Sequence, residues 1–296
     1  MTDVIRGTIS IADEDGVNRA VAYEHWPSIA GKADALTYVL VPGMGTTLDV
    51  YRELVPLLHD NGQASVVCTD LRGMGASDVG FTSYTPLDTA RDVRALIAKL
   101  DLVRVVLVGG SMAAASVVWT AATDSVGGGN APRRVIGVAL LGPFAWDHDM
   151  PFAVPTLLSA MLIDCWGAWA WAGYYKTLFK APPAGLDAHV ANIRANLAQP
   201  GRLAALRGHI FASKAPCAAR LPELSELKLP VLAIWGDKDP DFPGGVEHEG
   251  AELLRRVPHA EVHVFAGGGH YPMFEAPAYT AEKLRAFAAA AVVRIA

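Results

Sequence analysis

At 296 residues the chain can bury one large core with an insertion, or two smaller domains. Its formal net charge of −5, from 25 Lys and Arg against 30 Asp and Glu, leaves no basic surface for nucleic acid, and no arginine-rich arm or zinc-finger spacing is present. Three cysteines at unrelated spacings, Cys68, Cys165 and Cys217, disfavour a disulfide framework and a metal site. The first residues include Asp3, Arg6, Asp13, Glu14 and Asp15 without a continuous apolar run, so no secretory signal is expected and the expected location is cytoplasmic.

In chain order, Val4 to Ile11 and Arg19 to Trp26 read as an edge hairpin around the Asp15-Gly16 turn. Ala35 to Val41 is the next strand, followed by the loop Pro42-Gly43-Met44-Gly45-Thr46-Thr47. A helix over 48–59 has its apolar face at Val50, Leu54, Leu57 and Leu58, with Pro56 interrupting it as a kink or a split. Ser65 to Thr69 is a buried strand ending in the segment Asp70 to Asp78. Thr85 caps a helix with Pro86 in its first turn and a buried stripe of Ala90, Val93, Leu96, Ile97 and Leu100. Val103 to Val108 is a valine-rich strand, a helix spans 112–124, and Arg134 to Leu141 is a strand again. The alternation then stops and resumes with Leu229 to Trp235, Ala260 to Phe265 and a closing helix from Pro277 to Val293. It predicts an α/β fold, a mostly parallel sheet with helices on both faces, whose ligands bind at the carboxyl ends of the strands. The interval reads as an inserted helical cap, giving a core of 1–142 and 226–296 and a cap of 143–225. Pro151 to Tyr175 holds one charged residue, Asp164, but Pro155, Asp164 and Gly167 weigh against a membrane span.

The strand ending at Val108 runs into Gly109-Gly110-Ser111-Met112-Ala113. A nucleophile on a sharp strand-to-helix turn needs small residues two places before and after it, and Gly109 and Ala113 meet that need. Such a turn aims the Met112 amide at a developing oxyanion. The competing reading is that Ser111 only caps the following helix. After the last strand, Gly267-Gly268-Gly269-His270 presents a histidine that can reach the turn. Gly236-Asp237-Lys238-Asp239-Pro240 places carboxylates at another strand end. Serine, aspartate, histidine is the chain order expected of such a site, with Ser111 as nucleophile, His270 as its base and Asp239 as the orienter of the base. Asp237, and Asp147 or Asp149 after the preceding strand, are alternative acids. Met44, between Gly43 and Gly45, is placed to give the second oxyanion amide.

With these stretches the chain resembles the α/β-hydrolase family over nearly its whole length. The matches are Gly109 to Ala113, the Asp-x-Arg-Gly-x-Gly-x-Ser segment from Asp70 to Ser77, the acid loop Gly236 to Asp239, and Gly269-His270 with Glu275 and Pro277. The resemblance places the acid three residues after the glycine, which favours Asp239. Pro42 departs from the histidine common before the oxyanion glycine, and Ala113 from the glycine common in the elbow.

The expectation is therefore a cofactor-free, metal-free serine hydrolase acting on an ester, lactone or thioester. Relatives with the same residues cleave carbon-carbon bonds, form peracids or act as lyases, and a ligand receptor on this fold is a third possibility. No dinucleotide fingerprint or P-loop is present. Trp146, Trp166, Trp169 and Trp171 precede Tyr174, Tyr175 and Phe179, which points to a small hydrophobic, uncharged substrate. Trp146, Trp166, Trp169 and Tyr174 are the expected lining.

Overall fold

The computed structural model describes residues 3–29, 35–124, 133–149 and 153–295. Pro151, where the apolar cap pattern begins, lies outside them. The core runs β1 (Ile5–Ala12), β2 (Asn18–Trp26), β3 (Thr37–Val41), α1 (Leu54–His59), β4 (Ser65–Thr69), α2 (Pro86–Lys99), β5 (Val105–Gly110), α3 (Ala113–Thr123) and β6 (Val135–Leu141). Among the described residues six helices follow: α4 (Ala153–Met161), α5 (Gly167–Thr177), α6 (Leu186–Leu197), α7 (Arg202–Phe211), α8 (Ala215–Ala218) and α9 (Leu221–Glu226). The core then completes with β7 (Val231–Gly236), α10 (Val246–Arg256), β8 (Glu261–Phe265), α11 (Pro272–Glu275) and α12 (Pro277–Ile295).

The eight strands among the described residues lie in the order β1-β2-β4-β3-β5-β6-β7-β8. The β1–β2 and β2–β4 pairs are antiparallel and every later pair is parallel. All residues of β3 to β7 are buried, as aliphatic strands covered on both faces must be, whereas the edge strand β8 is largely accessible. A Cβ on Gly109 would strike Val117 of α3, and one on Gly137 would strike Phe287 of α12. Gly109 is level with Leu140 and Gly137 with Val106, so the two glycines face opposite sides and α3 and α12 cover opposite faces.

Thr85 and Asp88 form a reciprocal capping box at the start of α2, with Pro86 at the first helical position where its missing N–H costs nothing. The expected helix over 48–59 divides into a 3₁₀ turn, Leu48–Tyr51, and α1. The break precedes Pro56, which occupies the first turn of α1, where no intrahelical donor is required. The Asp70–Ser77 segment locks this edge: the Asp70 carboxylate accepts from the amides of Leu48 and Ala76, Arg72 forks onto Asp92 at 2.8 and 2.7 Å, and Ser77 accepts from the Ala22 amide. Helices α8 and α9, at the end of the expected 143–225 cap, pack on α3. Among the described residues, no helix is long and apolar enough to cross a membrane.

Candidate active site

Because β3, β5, β7 and β8 are parallel, their carboxyl ends share one edge of the sheet, and four loops meet there. Ser111 follows β5 directly with φ of +52°, a left-handed conformation that an L-residue holds only when its surroundings enforce it. Its amide donates to the Leu141 carbonyl at 2.9 Å, and its own carbonyl accepts from Phe144 at 3.1 Å. A Cβ on Gly109 would lie 2.6 Å from the Ala113 carbonyl oxygen, the close passage that this turn imposes. The cap of α3 is Met112 and carries no side-chain hydrogen bond, so Ser111 is not spent as a helix cap.

The Ser111 hydroxyl lies 2.9 Å from His270 Nε2, and His270 Nδ1 lies 2.7 Å from Asp239 Oδ2. All three residues are buried. Asp239 Oδ1 accepts from the Asp241 amide at 3.0 Å, so both oxygens of the carboxylate are engaged. Full burial alone would lower the imidazole pKa of His270. The charge and hydrogen bond of Asp239, with Asp241 and Glu275 farther out, outweigh burial and push it up to about 9.

The other carboxylates go elsewhere. Asp237 accepts from the Gly267 amide at 2.6 Å and braces the histidine loop. Asp147 accepts from Ser213 Oγ and from the amides of Lys214 and Ala215 at the start of α8. Asp149 stands on a cavity wall. Asp241, which sequence reading passes over, lies 4.0 Å from His270 Nδ1 and accepts the Tyr174 hydroxyl at 2.7 Å. Burial raises its pKa and that of Tyr174. Asp239, Asp241 and His270 offer ligand atoms within 4.8 Å of one another, yet Nδ1 is the atom already joined to Asp239.

The loop after β3 runs against Ser111: a Cβ on Gly43 would lie 2.8 Å from Ser111 Cβ. Met44 is the next residue, on the side of an adjoining cavity. Among the described residues, neither the Met44 nor the Met112 amide has a hydrogen-bond partner.

That cavity encloses about 540 Å³. Met44, Phe144, Leu158, Trp171, Tyr174 and Phe242 line its apolar part, and Phe144 stacks on Phe242 with its ring 5.6 Å from that of His270. Asp149, Asp241 and Glu249 face it as well, against Lys214. Of the expected lining, Tyr174 is on the wall, and Trp146, Trp166 and Trp169 are not. Trp166 and Trp169 are 50% and 66% exposed, and Trp169 lies under the Arg194 guanidinium; Trp146 packs beneath Arg256 and beside His148. Helical spacing carries the missing signal. Trp171, Tyr174, Tyr175 and Leu178 share one face of α5, which Trp169, two places before Trp171, cannot share.

A model of the alpha/beta hydrolase family matches residues 38–283. The chain is 27% identical over 243 residues to a protein of Synechocystis sp. provisionally named a non-heme chloroperoxidase, covering 78% of this chain and 83% of that one. It is 26% identical over 249 residues to the 2-hydroxy-6-oxononadienedioate/2-hydroxy-6-oxononatrienedioate hydrolase of Paraburkholderia xenovorans, covering 79% and 78%. The crystal structure of a bromoperoxidase from Bacillus anthracis superposes with a TM-score of 0.76 at 20% identity, covering 95% of this chain and 99% of that chain. With the family model spanning most of the sheet, from β3 to β8, and the helices around it, the chain belongs to the alpha/beta hydrolase family.

Proposed function

We propose that the protein is a serine hydrolase that cleaves an uncharged ester, lactone or thioester with an apolar acyl group. The observation that carries this reading is the continuous hydrogen-bonded chain from Ser111 Oγ through His270 to Asp239. His270 Nε2 takes the hydroxyl proton as Ser111 Oγ bonds to the substrate carbonyl carbon, and Asp239 holds the tautomer and stabilises the imidazolium. The carbonyl oxygen becomes an oxyanion between the Met44 and Met112 amides. On collapse the alkoxide or thiolate leaves with the proton from His270, and water activated by the same imidazole releases the acid. Side chains and backbone amides supply every step, so the reading asks for no cofactor or metal.

The wall chemistry favours a neutral substrate. A dicarboxylate, such as the dioate named for the Paraburkholderia relative, would face Asp149, Asp241 and Glu249 with Lys214 as the one Lys or Arg of the lining beside His148 and His248; Lys214 lies 3.6 Å from Asp147 and His148 lies 2.9 Å from Glu249. The test is labelling with a fluorophosphonate, followed by peptide mapping. Modification of Ser111 that is abolished in Ser111→Ala is expected. A wild-type protein that neither labels at Ser111 nor turns over p-nitrophenyl butyrate sinks the proposal and favours a ligand-binding role.

A further inference from the structure

One face of α5 touches three of the four loops that carry the candidate site, those after β3, β7 and β8. Trp171, Tyr174, Tyr175 and Leu178 recur at i, i+3, i+4 and i+7, the spacing of neighbours on a helix surface. The buried indole N–H of Trp171 donates to the Gly45 carbonyl at 2.8 Å, immediately after Met44. The fit is tight enough that a Cβ on Gly45 would lie 2.3 Å from the indole. The Tyr175 hydroxyl donates to Thr46 Oγ1 at 3.2 Å, and His189 Nε2 of α6 lies 3.1 Å from the same oxygen. Burial pushes the His189 pKa down to about 4, so the ring is neutral there.

Tyr174 donates to Asp241, whose amide donates to Asp239. At the end of the helix the carbonyl of Leu178 accepts the His270 amide at 2.9 Å. Just beyond, the Glu275 carboxylate gathers the amides of Lys180, Ala181 and Gly269, which ties the end of α5 to the histidine loop a second time.

Resting on the serine-hydrolase reading, we infer that this face of α5 is the template that holds the oxyanion, acid and histidine loops in mutual register, with Trp171 and Tyr175 positioning the Met44 amide. Neither residue is asked to touch the reacting atoms. Their effect passes through Gly45 and Thr46 to a donor whose interaction strengthens only as charge develops on the oxyanion. Misplacing such a donor lowers kcat and leaves ground-state binding nearly intact.

The experiment compares wild type, Trp171→Phe, Tyr175→Phe and Trp169→Phe on p-nitrophenyl butyrate and on a fluorophosphonate. Trp171→Phe keeps the aromatic wall and removes the donor. It is expected to lower kcat by about 10- to 100-fold, with KM changed by less than about threefold. The rate of Ser111 labelling should fall in parallel, with the unfolding transition still cooperative. Tyr175→Phe, which removes one oxygen, should show the same split at smaller amplitude, about 3- to 10-fold in kcat. Trp169→Phe, on the exposed side of the same helix, should behave as wild type.

Wild-type kcat in folded Trp171→Phe and Tyr175→Phe overturns the inference. So does an equal loss in Trp169→Phe, or a rise in KM without a loss in kcat. If Trp171→Phe does not fold, Tyr175→Phe decides alone. A wild-type protein that neither labels at Ser111 nor turns over p-nitrophenyl butyrate sinks the serine-hydrolase reading itself. Normal wild-type labelling with unaffected variants sinks only the role of α5.

Discussion

A seryl hydroxyl is a weak nucleophile near neutral pH, so the proposed chemistry stands on what His270 and Asp239 do to Ser111. Ser111→Ala and His270→Ala should each reduce kcat by several orders of magnitude. The double variant should be little worse than either, because the two side chains act in one proton transfer. Multiplicative losses would indicate separate roles. Asp239→Asn should cost roughly 10⁴ in kcat while Asp237→Asn, which loses a brace to the Gly267 amide, should cost far less. The reverse order would reassign the acid. The pH dependence follows from the same imidazole, which must be neutral to accept the serine proton. With its pKa pushed up to about 9, kcat/KM for a neutral ester should rise through the neutral range, reach half its maximum near pH 9 and level off above it. Stability moves the other way. A raised folded-state pKa makes a contribution that is complete below the ordinary value of 6.5 and is lost as pH climbs through about 9. The stability gap between wild type and His270→Gln, read by urea unfolding, should therefore narrow between pH 7 and 10 while the wild-type rate increases. A gap that widens over that range would contradict the assigned charge state.

At the scale of elements, local chemistry decides most boundaries. The Thr85–Asp88 box shares no hydrogen bond with Ser111, His270 or Asp239 among the described residues, so Thr85→Ala should lower the free energy of unfolding by about 1 kcal/mol and leave kcat and KM unchanged. A kinetic effect would mean that the start of α2 communicates with the loops. This helix is legible in the sequence because its cap, proline and apolar stripe agree. The buried strands are legible because valine-rich runs end in glycine or polar loops. Helix α10 is not found by the same reading. Its first turn holds Glu247 and Glu249 and its last Arg255 and Arg256, but only Val246, Glu249, Gly250 and Leu253 are buried, too sparse an apolar stripe to stand out. The split before α1 is expected from Pro56, but its position is not. Pro56 marks the neighbourhood of a break, while the residues that end the 3₁₀ turn, Arg52 and Glu53, carry no breaker signal. That α8 and α9 contact α3 is a tertiary fact that periodicity does not contain.

At the scale of the whole molecule, the proposed catalytic constellation is more legible than the pocket. Each proposed catalytic residue sits at the end of a strand, and a parallel sheet delivers all such ends to one edge whatever the loop details. The pocket depends instead on how the inserted helices rotate over that edge. Composition alone cannot separate Trp171, buried against Gly45, from Trp169, turned toward solvent. The resulting cavity of about 540 Å³ sets the last expectation. Each acyl methylene that leaves water for the wall of Phe144, Leu158 and Phe242 should add about 0.8 kcal/mol to transition-state binding, close to fourfold in kcat/KM, until the cavity is full. Across p-nitrophenyl esters of increasing acyl length, kcat/KM should therefore climb and then level off. A terminal carboxylate on the acyl chain must give up its hydration among Asp149, Asp241 and Glu249, so the hemisuccinate ester should react at least about tenfold more slowly than the butyrate. The contrast should shrink in Asp241→Asn, where one of the repelling groups is gone. A flat series, or a preference for the charged ester, would show that the substrate does not lie along this wall.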